Sequence, residues 1–194
     1  MSSWVYRQCP LDWSTFEKLM HDMSFRIRLM QGYERIAYAR YQSAIAFGCY
    51  LGPSSKELLT LRWNHLFNQI YKWRFEERYN VVIDKDLHKV ATTNFDIVKP
   101  ERKNELVLPH LFNSNKSVSA GQFNASLIKL FTEFLVNTPE PNFQTLRKTF
   151  ARKIFEDMAY SDLAVEILSD QLGYSRTLTR TYLRKEGESN ISIY

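Results

Sequence analysis

The amino-acid sequence predicts an α+β fold that is mainly helical, with a small antiparallel β-sheet inserted between helices. Apolar residues recur at helical spacing near both ends of the 194-residue chain. Between these regions, short stretches rich in aromatic and β-branched residues alternate with charged turns, which is typical of strands. Because no long linker separates the two patterns, the sequence indicates one domain.

The first helix is predicted to begin at Asp12 or Ser14. Ser14 and Glu17 have the spacing of a capping box, in which each side chain bonds the other residue's backbone amide. Apolar residues then follow at helical spacing. Residues 1–10, before this helix, are predicted to form an N-terminal arm.

A longer helical segment is predicted from about Phe25 to Tyr50, and Gly32 is a candidate interruption within it. The turn LGPSS ends this segment. Ser54 and Glu57 form a second capping-box signature, which predicts that the helix KELLTLRWNHLF begins after the turn.

The middle of the chain predicts the sheet. Its candidate strands are short and are separated by charged turns. They are IYKWRF (70–75), YNVVI (79–83), FDIV (95–98) and ELVLP (105–109).

Helices resume after Pro109. Apolar spacing predicts one helix near 119–136, one from about Phe143 to Met158, one from Asp162 to Leu172, and a last one from Thr177. The segment TPEPN between the first two is predicted to be a loop.

The stretch LSDQLGYSRTLTRTYL, residues 168–183, joins the last two helices. Gly173 is placed to end the first of them in a left-handed conformation. Ser175 or Thr177 can accept a free amide in the first turn of the next. Tyr182, on that last helix, is either a filler of apolar space or a reactive group.

Composition restricts the class of protein. Hydrophobic residues make up 44% and charged residues 24% of the chain, which is ordinary for a soluble globular domain. No apolar run is long enough to cross a bilayer, and the N-terminus lacks a secretory signal. Cys9 and Cys49 lack metal-ligand spacing. We therefore expect reduced thiols, no metal, no cofactor, no membrane partner, and a cytoplasmic or nucleoid-associated protein.

The net charge of +5 is unevenly distributed. Cations concentrate in residues 99–103, 147–153 and 176–185. Each patch alone is explained by a solvated face. Three such patches favour a polyanionic partner, and nucleic acid ranks ahead of a membrane surface.

Four segments in series resemble the catalytic domain of tyrosine recombinases, the phage-integrase family. AFGCYLGPSSKELLTLRW resembles the family's helix–turn–helix, and FDIVKPERKNELVLP resembles its lysine-bearing β-hairpin. FQTLRKTFARKIFE resembles its "HxLRHTFAT" helix, and LSDQLGYSRTLTRTYL its "LLGHSSIxTTxxYL" segment. The resemblance implies a recombinase-like domain over 11–186 and a C-terminal tail at 187–194. It leaves no room for the family's N-terminal DNA-clamping domain.

The resemblance also implies a defined chemistry. In this family a tyrosine oxygen attacks a DNA phosphodiester and becomes covalently joined to the phosphate. Two arginines neutralise the charge that builds on the phosphate, and a hairpin lysine protonates the departing sugar oxygen. Histidines or a tryptophan complete the set of hydrogen-bonding and proton-transfer groups.

Carried over residue by residue, this set is incomplete. Tyr182 matches the nucleophile, Arg147 the second arginine, and Lys99 the hairpin lysine, with Lys103 as the runner-up. The first arginine falls on Ser54.

The two histidine positions also differ from the family pattern. The histidine before the second arginine falls on Gln144, which can donate a hydrogen bond but cannot shuttle a proton at neutral pH. The histidine after the "LG" pair falls on Tyr174, which replaces it in part because it can donate one hydrogen bond.

These substitutions predict a DNA-binding protein that is defective in strand cleavage. A serine hydroxyl supplies neither the charge nor the two-pronged contact of a guanidinium, and losing one preorganised donor costs roughly 10²–10³ in rate. Such a protein would act in or regulate the recombination or integration of a mobile element, as a homo-oligomer or with an active recombinase. The cations expected to meet DNA phosphates are Lys148, Arg152, Lys153, Arg176, Arg180 and Lys103.

Two alternatives stay open. The chain could be an active site-specific recombinase that forms a phosphotyrosyl DNA intermediate through Tyr182, with the missing arginine supplied by Arg62 or by a partner subunit. It could also be a protein-interaction module that kept the fold without binding DNA.

Overall fold

The computed structural model describes residues 9–67, 70–71, 81–110 and 113–183. Within these ranges the chain forms nine helices and four short strands. The helices are α1 (Trp13–Leu29), α2 (Gly32–Leu51), α3 (Ser55–Leu59), α4 (Trp63–Leu66), α5 (Lys85–Val98), α6 (Ala120–Glu133), α7 (Phe143–Asp157), α8 (Asp162–Leu172) and α9 (Arg176–Leu183). The strands are β1 (Ile70–Tyr71), β2 (Val81–Val82), β3 (Pro109–His110) and β4 (Asn113–Ser117).

The last four helices confirm the sequence-based prediction. The bounds of α8 agree with it, and α6, α7 and α9 differ by a few residues. Gly173 has φ 65° and ψ 33° and ends α8 in the left-handed conformation. The hydroxyl of Ser175 accepts a hydrogen bond from the amide of Leu178 at 3.2 Å, as a residue before a first turn should.

The first two helices differ from the prediction in their limits. α1 continues to Leu29, and the break before α2 spans only two residues. The predicted Ser14–Glu17 capping box is wrong, because Asp12 is the N-cap and makes no side-chain capping bond. Glu17 instead accepts a hydrogen bond from the indole of Trp13 at 2.9 Å.

The capping box after the turn is confirmed. The Ser54 hydroxyl accepts from the amide of Glu57, and the Glu57 carboxylate accepts from the amide of Ser54. The single helix predicted from that point is divided into α3 and α4. Arg62, between them, is extended and forms an isolated antiparallel bridge with Leu106.

The strands form two separate antiparallel pairs in the described part of the chain. β1 pairs with β2, with Ile70 opposite Val82, and β3 pairs with β4, with Pro109 opposite Ser117. Residues 72–75 and 79–80 of the predicted strands lie outside the described residues.

The strand predicted for FDIV, residues 95–98, is wrong because these residues form the last turn of α5. The buried side chains of α5 recur at helical spacing: Leu87, Ala91, Asn94 and Val98. This face packs on α2, so burial overrides the strand preference of branched residues. Lys99 follows as a left-handed C-cap with φ 48°, not as part of a hairpin.

The hydrophobic core is organised around α2. The larger buried cluster joins α1, α2, α5 and α6, and a smaller one joins α7, α8 and α9. A buried polar network also ties α1, α2 and α5 together. Gln42 donates to the carbonyl of Met20 at 2.8 Å and accepts from the Asn94 amide at 3.0 Å. No helix in the described ranges is long and apolar enough to cross a bilayer.

α2 and the turn after it lie directly against α7. A Cβ atom placed on Gly48 would lie 2.8 Å from the side chain of Leu146. A Cβ atom on Gly52, which has φ +59°, would lie 2.3 Å from the ring of Phe150. The absence of a side chain at these two positions therefore sets how closely the turn before Ser54 approaches α7.

We expect Gly52→Ala to lower the free energy of unfolding by roughly 2–4 kcal/mol, because it adds left-handed strain and displaces Phe150. Gly32 is a matched control, since it has φ +60° and no atom within 4 Å of an added Cβ. Gly32→Ala should therefore cost only the strain, about 1 kcal/mol. Denaturant unfolding measures both values, and equal losses would contradict the proposed contact with Phe150.

Candidate active site

Tyr182 lies inside the smaller hydrophobic cluster, where α9 packs on α7. Its side chain is only 5% exposed. The hydroxyl donates a hydrogen bond to Oε1 of Gln144 at 3.2 Å. Its ring meets that of Tyr174 edge to face, with centroids 5.5 Å apart and an interplanar angle of 69°. Tyr182 is thus a core residue that also contacts two positions where the family resemblance expects histidine.

Burial raises the pKa of Tyr182 well above its ordinary value near 10, and the neighbouring Tyr174 raises it further. The positive charge of Arg147 opposes both effects without cancelling them. The hydroxyl is therefore held in its protonated form at neutral pH. Gln144 cannot remove this proton because an amide has no basic group.

Arg147 is buried beside Tyr182 and is used by the fold. Its Nη2 donates to the carbonyl of Leu172, at the C-terminal end of α8, at 2.7 Å. Its guanidinium carbon lies 4.9 Å from the centroid of the Tyr174 ring. Nε is buried and finds no hydrogen-bond acceptor among the described residues. One N–H of the guanidinium therefore remains available to an oxygen that enters the cluster.

Lys148 also belongs to this group, which sequence reasoning placed only on a DNA-facing surface. Its side chain is buried, with 7% exposure, and Nζ lies 5.3 Å from the centroid of the Tyr182 ring. The spacing could have revealed this, because Gln144 and Lys148 are four residues apart and share a face of α7. We call Gln144, Arg147, Lys148, Tyr174 and Tyr182 the tyrosine cluster.

Ser54 is committed to its own helix cap. Its hydroxyl accepts from the amide of Glu57 at 3.4 Å and donates to the Oε2 of Glu57 at 3.0 Å. The same carboxylate oxygen accepts from the Ser54 amide at 3.1 Å. Glu57 is 1% exposed. The position where the resemblance expects a guanidinium thus holds a hydroxyl whose single proton is directed to a buried carboxylate.

Lys99 lies apart from the tyrosine cluster. It lines a cavity with Arg40, Arg62 and Arg102, and no residue of the tyrosine cluster is among the described residues that line it. Lys103 lies with its Nζ 5.8 Å from the centroid of the Phe67 ring. The structure therefore brings Gln144, Arg147, Tyr174 and Tyr182 together, and none of them is among the described residues that line the cavity of Lys99.

The remaining cations expected to meet DNA each have a carboxylate partner within the chain. Arg152 pairs with Glu156 at 2.6 Å, and Lys153 pairs with Asp157, both four residues along α7. Two further pairs join α9 to α8. They are Arg176 with Glu166, and Arg180 with Asp162 at 2.6 Å.

These carboxylates reduce the net positive charge of α7, α8 and α9. Residues 143–183 carry six lysines and arginines against five carboxylates. The last three helices are therefore close to neutral, although the basic segments within them suggested a strongly positive surface.

The fold is that of a tyrosine-recombinase catalytic domain, as the sequence resemblance predicted. The structure matches that of XerA recombinase with a TM-score of 0.70 and 15% sequence identity, over 92% of this chain and 60% of that one. It also matches XerH site-specific recombinase bound to palindromic difH substrate in a post-cleavage complex, and bound to difH in a pre-cleavage complex. These two matches have TM-scores of 0.67 and 0.66 at 15% identity, over 92% and 91% of this chain.

This chain spans 60%, 49% and 50% of the length of those three structures, respectively. No protein-family model matches the chain, and no curated protein sequence does. At 15% identity the likeness establishes the fold alone.

We expect Tyr182→Phe to reduce the loss of stability at high pH. Because burial raises the pKa of Tyr182 in the folded state, only the unfolded chain ionises this group near pH 10, which favours unfolding as the pH rises. The free energies of unfolding of wild type and variant should differ by a constant amount below about pH 10, and the wild type should lose more above it. Denaturant titrations over this range measure the difference.

Gln144→Leu is the control for that experiment. It removes the hydrogen-bond acceptor but leaves the phenol, so it should cost about 1 kcal/mol at every pH and keep the wild-type slope above pH 10. Parallel curves for wild type and Tyr182→Phe through alkaline pH would show that Tyr182 is not held protonated by the fold.

Proposed function

We propose that this protein binds double-stranded DNA through a tyrosine-recombinase fold and is defective in strand cleavage. It would act in or regulate the recombination or integration of a mobile element, as a homo-oligomer or beside an active recombinase. The likeness to XerH structures that contain difH substrate supports the DNA partner. The main support for the loss of cleavage is Ser54, whose hydroxyl donates to Glu57 at the position where the family resemblance expects an arginine.

Ser54 cannot stabilise an anionic transition state as an arginine would. The hydroxyl donates to Glu57, so a phosphate oxygen would have to displace that bond to receive it. Glu57 belongs to the Glu-Leu-Leu that this helix shares with the family pattern, so the departure is at position 54, where a hydroxyl replaces a guanidinium. Losing one preorganised donor costs roughly 10²–10³ in rate.

Activation of the nucleophile is the second obstacle. A phenol attacks phosphorus only after losing its proton, and a positioned base normally takes it. Here the hydroxyl of Tyr182 donates to the amide oxygen of Gln144. Burial also raises the pKa of this phenol. Charge neutralisation and proton removal are therefore both weakened at the same site.

Arg62 is poorly placed to supply the missing arginine. It precedes α4, and its Nη1 donates to the carbonyl of Asn104. Among the described residues, the cavity that it lines contains Lys99 and no member of the tyrosine cluster. The active-recombinase alternative therefore requires an arginine from a partner subunit.

DNA affinity is expected to be moderate because phosphates must compete with carboxylates. Exposed ion pairs contribute about 0–1 kcal/mol each, so Arg176 and Arg180 can exchange Glu166 and Asp162 for phosphate oxygens at little cost. Each phosphate neutralised adds about −0.9 to the slope of log K against log salt. Because residues 143–183 are close to neutral, we expect the DNA affinity of this part of the chain to depend only weakly on salt concentration.

We expect two opposite effects on DNA binding when the pairs between α8 and α9 are broken. Arg176→Gln and Arg180→Gln should weaken binding to duplex DNA severalfold at low salt, since each removes a phosphate contact. Asp162→Asn and Glu166→Gln should strengthen it, because each frees the same arginine for DNA. All four variants lose one ion pair, so a stability effect cannot mimic a change of sign.

Gel shifts or fluorescence anisotropy at rising salt measure these affinities. Arg26→Gln is the control, because Arg26 pairs with Glu133 at 3.2 Å, away from α8 and α9. Absence of binding at every salt concentration would remove the DNA hypothesis and favour the protein-interaction alternative.

We expect no covalent protein–DNA adduct with nicked suicide substrates under conditions where the protein is bound. The reason is the missing guanidinium at Ser54 together with the protonated Tyr182. Denaturing gels with labelled DNA measure the adduct. An adduct that forms with the wild type and disappears in Tyr182→Phe would establish an active recombinase and overturn the loss of cleavage.

A further inference from the structure

The cavity that contains Lys99 is a basic site distinct from the tyrosine cluster. It has a volume of about 640 Å³ and lies between α2, the start of α4 and the loop that follows α5. Its charged lining residues are Arg40, Arg62, Lys99, Glu101, Arg102 and Glu105. We call it the basic cavity.

The wall of the basic cavity is held by backbone hydrogen bonds. The amide of Asn64 donates to the carbonyl of Lys103 at 2.7 Å, and the amide of Val107 donates to the carbonyl of Leu61 at 2.9 Å. These bonds fasten the loop to the segment around Arg62. The cavity is therefore part of the folded structure and not a gap beneath a loose loop.

Arg40 fixes the inner side of the cavity. Its Nη1 donates to the carbonyls of Leu106 and Val107 at 2.8 and 3.0 Å, and its Nη2 donates to Glu105 at 2.7 Å. Arg40 and Glu105 thus neutralise each other. The remaining charged groups are Arg62, Lys99 and Arg102 against Glu101, which leaves two positive charges in excess.

Lys99 ends α5 in a left-handed conformation. Lys99 has φ 48° and ψ 57°, a left-handed conformation that costs a residue with a side chain stability and favours glycine. A lysine at this position places positive charge at the rim of the basic cavity.

We propose that the basic cavity binds a sugar-phosphate group. Guanidinium groups match phosphate geometry, and the volume lies within the range of ligand sites in proteins. No aromatic ring is among the described residues that line it, so these residues offer no platform on which a base could stack. The cationic side chains Arg62, Lys99 and Arg102 would therefore contact the phosphate, supplied either by a nucleic-acid backbone or by a free sugar phosphate.

Ribose 5-phosphate and a labelled DNA duplex are the probes that distinguish the two sources, with ribose and inorganic phosphate as reference ligands. Calorimetry or anisotropy measures binding to the full chain. We expect Arg102→Gln and Lys99→Gly each to weaken binding of whichever of these two probes the wild type binds by roughly tenfold, because each removes one charge-assisted contact. Lys89→Gln, on the exposed side of α5, should leave it unchanged.

Lys99→Gly should change stability and ligand binding in opposite directions. It should raise the denaturation midpoint, because glycine relieves the left-handed strain, while it weakens binding. Leu135→Gly is the matched control, since Leu135 also has positive φ, 54°, and is 90% exposed. That variant should raise the midpoint and leave binding unchanged.

The proposed ligand site rests on the proposed function only if its ligand is DNA. The binding experiments distinguish failure of the ligand site from failure of DNA binding. Binding of ribose 5-phosphate without DNA binding would support the basic cavity and overturn DNA binding. DNA binding that is unaffected by Lys99→Gly and Arg102→Gln, with no binding of ribose 5-phosphate, would overturn the basic cavity alone. Wild-type protein that binds neither probe would overturn both.

Discussion

The contact between Ser54 and Glu57 determines how the turn after α2 meets the rest of the protein. Both donors of Ser54 are directed to one oxygen of a buried carboxylate, which fixes the start of α3. Two residues earlier, Gly52 lies against Phe150 of α7, and Phe150 packs in the same cluster as Tyr182. Phe150 therefore links this turn to the cluster of Tyr182, and Ser54 occupies the position where the family resemblance expects an arginine.

Local sequence signals predicted the fold well where they were strong. Gly173, the Ser54–Glu57 capping box and the apolar spacing of α6 to α8 each act within one or two turns. α5 was missed because the branched residues of FDIV suggest a strand. Its helical state depends on packing against α2, a contact between segments far apart in sequence.

The candidate site shows the same division between local and tertiary information. The motif resemblance identified the residues that the structure brings together around Tyr182, but the position of Lys99 followed the mistaken strand. The pairs within α7, such as Arg152 with Glu156, could be read from a spacing of four residues. The pairs between α8 and α9 could not, because they depend on how the two helices pack.

The residues that match the family pattern are also residues that the fold uses, and this limits what the match implies. Arg147 donates to the last carbonyl of α8, where a positive charge is favourable at a helix C-terminus. Tyr182 fills the smaller hydrophobic cluster. Removing either side chain would leave a cavity or an unpaired carbonyl, so packing alone is sufficient to explain why they are present. Ser54, Gln144 and Tyr174, where the pattern fails, are the positions that cleavage would require in addition. The proposal that cleavage is defective therefore rests on those three positions, and the presence of Arg147 and Tyr182 does not test it.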